Sequence, residues 1–490
     1  MKKKWMRWLT ALLVLLSFLG FSGINHVQAA DDSLQKVKDK GVLVMGTSPD
    51  YPPYEFLVND GGKNTTVGID ISIAKQIAKD MGVKLQIKSM DFDLLLVGLQ
   101  TGKVDMVISA MTPTSERKQS VDFSELYYTA EQSIIVNKAD AKLYKDKDSF
   151  VGKKIGVQTG SLQADLAKEQ MSSSPQLGLA KYTDLVLALK SHKVEGIVAE
   201  EPVALAYVQH DPDLALINGK FTLDPSENGQ AIGFAKGATS LVAAANKSID
   251  KIKKKGLIKQ YMTEAADKMT TNTTDTSMIH YWKYFAKGIG YTLLITAISV
   301  VIGVILGTLL ALMRLGKNKL LHALAVAYIE FVRGTPLMIQ VMFVYFGLGI
   351  FLDIPALLAG IIAVALNSGA YVAEIIRSGI ESIPVGQTEA ARSLGLSQKQ
   401  TMQSVVFPQA LKNIWPALGN EFISLIKESS IVSIIGVTDL IYQLKVVQTA
   451  TYKGVQPIIV AMVIYFVLTF GLSKILGYFE KRMKHDEATH

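Results

Sequence analysis

No cysteine occurs among the 490 residues, so the chain can form neither a disulfide nor a lipid-modified cysteine anchor. Any exported part must be held at a membrane by other means. A G-x-x-x-x-G-K-[ST] phosphate loop is missing too: Gly102-Lys103 runs into Val104, and Gly316-Lys317 runs into Asn318. The chain is therefore not expected to hydrolyse ATP itself. Charge is scarce at 19 % of residues against 49 % hydrophobic, and the apolar residues are unevenly spread.

That unevenness divides the chain, whose length allows about two or three domains. Residues 1–29 begin MKKKWMRW, become apolar from Leu9 to Phe21 and end in the small-x-small pattern Val27-Gln28-Ala29, the layout of a secretory signal peptide. Residues 31–268 have the mixed character of a soluble α/β domain, and residues 269–287 hold a polar linker, TTNTTDTS at 270–277, and an interfacial segment. Residues 288–485 carry the apolar runs 289–313, 337–352, 355–376, 420–441 and 456–477. The first, third and fifth are long enough to span a bilayer; the second is short, and the fourth contains Lys427, Glu428 and Asp439.

Charge sets the expected orientation. Arg314, Lys317 and Lys319 follow the first run, Arg377, Arg392, Lys399 and Lys412 fall in the long polar loop, and Lys481, Arg482 and Lys484 follow the last. The positive-inside tendency makes these segments cytoplasmic and puts 31–268 outside the cell. The net charge of +8 then follows from topology and calls for no nucleic-acid partner. Tyr281, Trp282 and Tyr284 before the first run are expected to form an interfacial aromatic belt.

In the exported part, VLVMGT (42–47), VKLQIK (83–88), VDMVIS (104–109), IGV (155–157), GIVA (196–199) and AIGFA (231–235) read as strands, and 69–81 as a helix. The alternation predicts parallel sheets with helices on both faces, whose ligands bind where strand ends meet helix N-termini. Asp50, Tyr51, Ala110, Thr112, Arg117, Gln158, Ser161 and Glu200 cluster at such ends.

YPPYEF (51–56), GIDISIAKQIA (68–78), residues 90–124 and IGVQTGS (155–161) together make this part resemble the amino-acid-binding proteins of polar amino-acid importers. The resemblance implies a bilobed, type II periplasmic-binding-protein fold that closes over a zwitterion. Arg117 can hold a carboxylate through two parallel charge-assisted hydrogen bonds. Thr112 and N–H groups near Ala110 can add donors, and the turn before Ser161 offers N–H groups at a helix start. Glu200 would meet the ammonium, with Glu201 beside it left to solvent. Tyr51 and Phe92 would flank the ligand side chain. Where many members carry Asp, this chain has Ser48, with Asp50 nearby; where glutamine binders often carry Lys, it has Gln158. Those departures open the site to a cationic amino acid such as arginine as well as to glutamine.

Residues 387–408 form a polar insert between apolar runs. Thr388 is expected to cap a short helix through Glu389, Ala390 and Ala391, Gly395 to end it in a left-handed conformation, and Ser397 with Gln400 to open a second helix as a capping box. Pro408 should kink or shorten that helix. A helical knob with small residues on its face fits another protein's groove. This stretch resembles the EAA-type coupling loop of ATP-driven importer permeases, and FVRGTPL (331–337) with 366–396 resembles their polar amino-acid branch. The resemblance implies an all-α membrane domain of about five spans, paired as a homodimer and worked by a separate cytoplasmic ATPase that uses ATP and Mg. Glu389, Ala390, Ala391 and Gly395 are the expected ATPase contacts. Ionisable or strongly polar residues inside a membrane are functional suspects, so Gln340, Asn367 and Glu374 are candidates for the solute pathway.

The combined expectation is a non-enzymatic importer subunit in a cell membrane, surrounded by lipid and carrying its own extracellular receptor, in a bacterium without an outer membrane. Neither a catalytic nor a metal-ligating set is expected. A ligand-gated channel is the first alternative, disfavoured because the membrane part follows a complete receptor. An exported enzyme is the second; it would need a general acid or base beyond the groups that zwitterion binding uses.

Overall fold

The computed structural model describes residues 31–60, 63–224, 228–271, 277–451 and 454–485. The expected signal peptide and most of the Thr-rich linker lie outside those residues.

Among the described residues, two five-stranded sheets and a small three-stranded one, Asp50–Tyr51, Glu55–Asp60 and Lys63–Val67, build the receptor. The first runs Lys84–Ser89, Val42–Thr47, Met106–Val107, Gly233–Ala235, Val121–Phe123; the second runs Gln176–Leu179, Ile155–Gln158, Gly196–Glu200, Gln132–Asn137, Leu214–Asn218. Sequence periodicity locates six of these ten strands but not Val121–Phe123, Gln132–Asn137, Gln176–Leu179 or Leu214–Asn218, and the sheets are mixed rather than wholly parallel. Gly233–Ala235 pairs antiparallel with both its neighbours, and so does Gln132–Asn137. The reason is the path of the chain: it passes from the first lobe to the second and returns, and each crossing delivers one reversed strand. The two crossings lie side by side at the bridge between Tyr128 and Gln230, which forms the hinge.

The helix expected over 69–81 is observed as Ile69–Met81 and ends at Gly82 in the left-handed region. Ile69, Ile71, Ile73, Ala74 and Ile77 turn inward onto the sheet and are essentially inaccessible to water. Burying each isoleucine contributes about 1.5–3 kcal/mol relative to exposure. This helix therefore owes its place to packing more than to propensity.

Among the described residues of the C-terminal unit three helices are long and apolar enough to cross a membrane: Met278–Leu315, Ala356–Glu381 and Val455–Glu480. Two bent pairs bring the number to five if each is one span. Lys319–Arg333 meets Leu337–Ile350 at 106°, at the break Gly334-Thr335-Pro336, where proline denies the helix an N–H. The run 337–352 is thus one limb of a bent pair. The run 420–441 straddles the other bend, of 56°, between Gln398–Ile435 and Leu440–Thr451. Gly436 stops the first limb there in the left-handed region.

The aromatic belt differs from expectation. Trp282 is exposed, but Tyr281 and Tyr284 are buried against Leu440, Val446 and Val447. Leu57 of the receptor joins that cluster, and Leu94 joins one with Val341 and Tyr345. The receptor therefore rests on the end of the helical unit formed by 341–356 and 433–451.

Candidate functional site

Local capping places the key side chains. Thr114 accepts a hydrogen bond from the Arg117 N–H and starts the helix Ser115–Ser120, fixing Arg117 in its first turn. Ser161 accepts from the Ala164 N–H and starts Leu162–Gln170. Glu200 ends a strand and begins Glu201–His210, with Pro202 in the first turn.

Between the lobes lies a small cavity of about 10 Å³, and Tyr51, Phe92, Ala110, Gln158, Ser161 and Glu200 are on its wall. Glu55, Ser48, Ser109 and Gln163 line it too. Glu55 is buried, and its Oε1 accepts from the Ser109 hydroxyl at 2.6 Å. Sequence reading passed over Glu55 although it sits inside YPPYEF; its position in a strand next to Tyr54 was the available signal.

Arg117 is not itself on the cavity wall; it bridges the lobes beside Phe92, which is. Its guanidinium donates to the Thr112 carbonyl at 2.7 Å and to the Gly160 carbonyl at 2.6 Å, and lies 5.6 Å from the centre of the Phe92 ring. Thr112 thus takes part through its carbonyl, and its side chain is off the cavity wall. The Ala110 N–H is already committed to Asp70 Oδ2 at 2.7 Å, so it is not a spare donor. Gln158 lines the cavity, while its Nε2 donates to the Ala180 carbonyl.

Asp50 is not on the cavity wall. Its carboxylate accepts from the Ser48 hydroxyl at 2.8 Å and the Tyr182 N–H at 2.7 Å. It also faces Lys181, whose Nζ is 3.0 Å from Asp91 and 3.7 Å from Asp50. Burial works to lower the Lys181 pKa, but Asp50 and Asp91 outweigh it and hold the ammonium above its ordinary range. Lys181 belongs to the second lobe and both carboxylates to the first, so the triad staples the lobes together. A second cavity, of about 30 Å³, separates this staple from Tyr442 and Lys445 of the helical unit.

Two carboxylates, Glu55 and Glu200, line the cavity. Burial raises Glu200 to about 7 against a partial offset from its Gln230 hydrogen bond, at 2.7 Å. Burial, then the charge of Asp70, raises Glu55 well above its usual range; burial raises Asp70 to about 6. Because the folded pKa of Glu200 exceeds its ordinary 4.5, the folded receptor binds more protons than the unfolded chain between 4.5 and about 7 and loses stability as pH rises through that window. An ammonium on Glu200 favours the ionised form, so ligand affinity should rise with pH across the same window and binding should release a proton. Titrations in buffers of differing ionisation enthalpy, with Glu200→Gln as control, check this; pH-independent binding by the unaltered chain contradicts it.

At the other end of the helical unit, Pro384 rather than Thr388 precedes the first knob helix, Val385–Ser393, so Thr388 lies inside it. Gly395 has φ 85°, and the Ser397–Gln400 capping box is complete. Pro408 does not end the second helix: a π-helical turn, Met402–Val406, leads into Phe407–Glu428, with the proline in the first turn. Glu389, Ala390 and Gly395 are exposed, whereas Ala391 is buried within the knob. Leu394 and Val385, 84 % and 71 % exposed, are the most exposed large apolar residues it presents.

Asn367 Nδ2 donates to Gln340 Oε1 at 3.1 Å, and Gln340 Nε2 donates to the Val332 and Thr335 carbonyls. These amides therefore serve to brace the Gly334–Pro336 bend. Glu374 pairs with Arg314 at 2.7 Å and with Arg377 at 2.5 Å.

Residues 43–265 match the family of bacterial extracellular solute-binding proteins, family 3, and residues 299–485 match the binding-protein-dependent transport system inner membrane component. The arginine transport system permease protein ArtQ of Bacillus subtilis is 41 % identical over 206 residues, 42 % of this chain and 94 % of that protein. The chain belongs to the polar amino-acid ABC importer family. A putative glutamine transport system permease protein GlnP of Rickettsia bellii is 41 % identical over 202 residues, 41 % of this chain and 93 % of the relative. The arginine-binding extracellular protein ArtP of Bacillus subtilis is 38 % identical over 224 residues, 44 % of this chain and 83 % of that protein. A Streptococcus pneumoniae amino acid ABC transporter substrate-binding protein, solved bound to L-arginine, is 36 % identical and covers 48 % of this chain and 98 % of its own, with a TM-score of 0.47. The importer thus unites a binding domain and an integral membrane permease in one chain, a transport component rather than an enzyme, and ATP hydrolysis belongs to a separate subunit in such systems.

Proposed function

We propose that the importer carries a cationic amino acid, arginine foremost, with residues 31–268 as the extracellular receptor and 288–485 as the permease. The observation that carries the substrate reading is the pair of buried carboxylates, Glu55 and Glu200, on one cavity wall, with Asp70 behind Glu55. A ligand's own carboxylate needs Arg117 and its ammonium needs one glutamate. The second glutamate is balanced by a positive side chain and left as a buried acid by a neutral one, at a cost of several kcal/mol if it ionises unpaired. Tyr51 and Phe92 offer rings against which a guanidinium can stack. The names of ArtQ and ArtP support the same choice.

Calorimetric titration of the purified full chain with arginine, lysine, histidine and glutamine tests this. Arginine should bind most tightly. Glu55→Gln should weaken arginine by about tenfold or more, the worth of one charge-assisted hydrogen bond, and leave glutamine nearly unchanged. Absence of arginine heat beside a normal glutamine titration overturns the substrate reading.

The wider assembly in this reading is two copies of the chain with two cytoplasmic ATPase subunits, which use ATP and Mg, in a lipid bilayer. Residues 1–29 direct export, and the Thr-rich linker substitutes for a lipid anchor, raising the receptor's local concentration at the permease to about the millimolar range. This suits a bacterium without an outer membrane. Arg314 and Arg377, gathered on Glu374, stay on the cytoplasmic side by the positive-inside tendency.

A further inference from the structure

Lys103 sits in the middle of the loop between Leu95–Gln100 and Met106–Val107 in the first lobe, away from the cleft, and its side chain is 1 % exposed. A lysine that deeply covered needs partners for its ammonium, and every one found lies more than 240 positions along the chain, in the permease. Nζ donates to the Ile354 carbonyl at 3.2 Å, lies 3.5 Å from Asp353 Oδ1, and stands 5.1 Å from the centre of the Tyr345 ring. Tyr345 is itself buried and belongs to a π-helical turn, Phe343–Gly347, an irregular backbone often associated with function. The Lys103 methylene stem crosses Gly349 so closely that a Cβ built there would overlap Lys103 Cε. Behind it, Lys88 Nζ donates to the Lys103 carbonyl at 2.9 Å and holds the loop in place.

We infer that Lys103 is the docking pin of the receptor and that residues Tyr345–Ile354 of its own chain form the socket. Weights differ among the contacts. Asp353 is 94 % exposed, so its attraction is screened, and the buried carbonyl and the ring supply most of the hold. The pin lies on the first lobe outside the amino-acid cavity, so docking through it leaves ligand capture untouched and governs delivery alone.

The test uses the full chain with its ATPase in vesicles, uptake of radiolabelled arginine and of glutamine measured in parallel, and ligand affinity measured on the same preparations. Lys103→Glu should reduce uptake of whichever amino acid the unaltered chain carries by about tenfold or more, because a carboxylate there is repelled by the Ile354 carbonyl and the Tyr345 ring face that hold the ammonium, with affinity unchanged. Gly349→Leu fills the socket from the permease side and should give the same phenotype with the receptor sequence intact, which guards against a misfolded Lys103 variant. Lys103→Glu with Asp353→Lys should regain part of the loss. Because the chain has no native cysteine, Lys103→Cys with Asp353→Cys can be joined by a short bismaleimide without side products. Cross-linking within one chain, with no amino acid required, supports the pin independently of substrate identity. Unchanged uptake in both Lys103→Glu and Gly349→Leu, or cross-links only between chains, overturns it.

Discussion

Replacing Arg117 with alanine should abolish amino-acid binding, with affinity falling by at least about a hundredfold. Two parallel hydrogen bonds from guanidinium to carboxylate are worth about 1.5–3 kcal/mol each, and every 1.4 kcal/mol is tenfold in affinity. Arg117→Lys should recover only part of the loss, because an ammonium keeps the charge but not the planar fork. The fold should survive, since Arg117 is partly exposed and its helix is started by Thr114. The substitution also removes the bond to the Gly160 carbonyl, so closure weakens together with capture. Calorimetry on the purified full chain reads the result. Affinity equal to that of the unaltered chain removes Arg117 from the site.

The second large effect is expected at the opposite end of the molecule. Leu394→Asp combined with Val385→Asp should reduce uptake by about tenfold or more and uncouple ATP hydrolysis from ligand, while calorimetric affinity stays the same. Both side chains are exposed in the isolated chain, so a charge there costs the fold little. Buried in a groove of the ATPase, each would contribute about 1.5–3 kcal/mol. Glu389→Arg should act in the same direction more weakly, as a rim charge does. Normal ligand-stimulated hydrolysis in the double variant places the docking surface elsewhere.

What could be read from sequence depended on how local the determinant was. The helix Ile69–Met81 was legible because its inward residues recur at helical spacing and Gly82 closes it. The Ser397–Gln400 box and the left-handed Gly395 were legible for the same reason. Asp50 was misplaced because its neighbours in sequence do not reveal which way its carboxylate turns; its partners, Lys181 and the Tyr182 N–H, come from the other lobe. Glu55 went unnoticed because its meaning comes from Ser109 and Asp70, brought near only by folding. The mixed sheets escaped because strand direction is set by two crossings of the hinge, which periodicity does not record. The bend at Gly334-Thr335-Pro336 was visible as residues, but its 106° angle is fixed by packing and by the Gln340 amide that ties its carbonyls.

Lys181 and Arg117 bear on economy. Closure of the lobes makes a buried ion triad and a guanidinium–carbonyl bond out of the receptor's own groups, so part of the drive to shut the jaws is built into the protein. The ligand then has only the remainder to supply, and affinity in such a receptor reflects the trap as much as the bait.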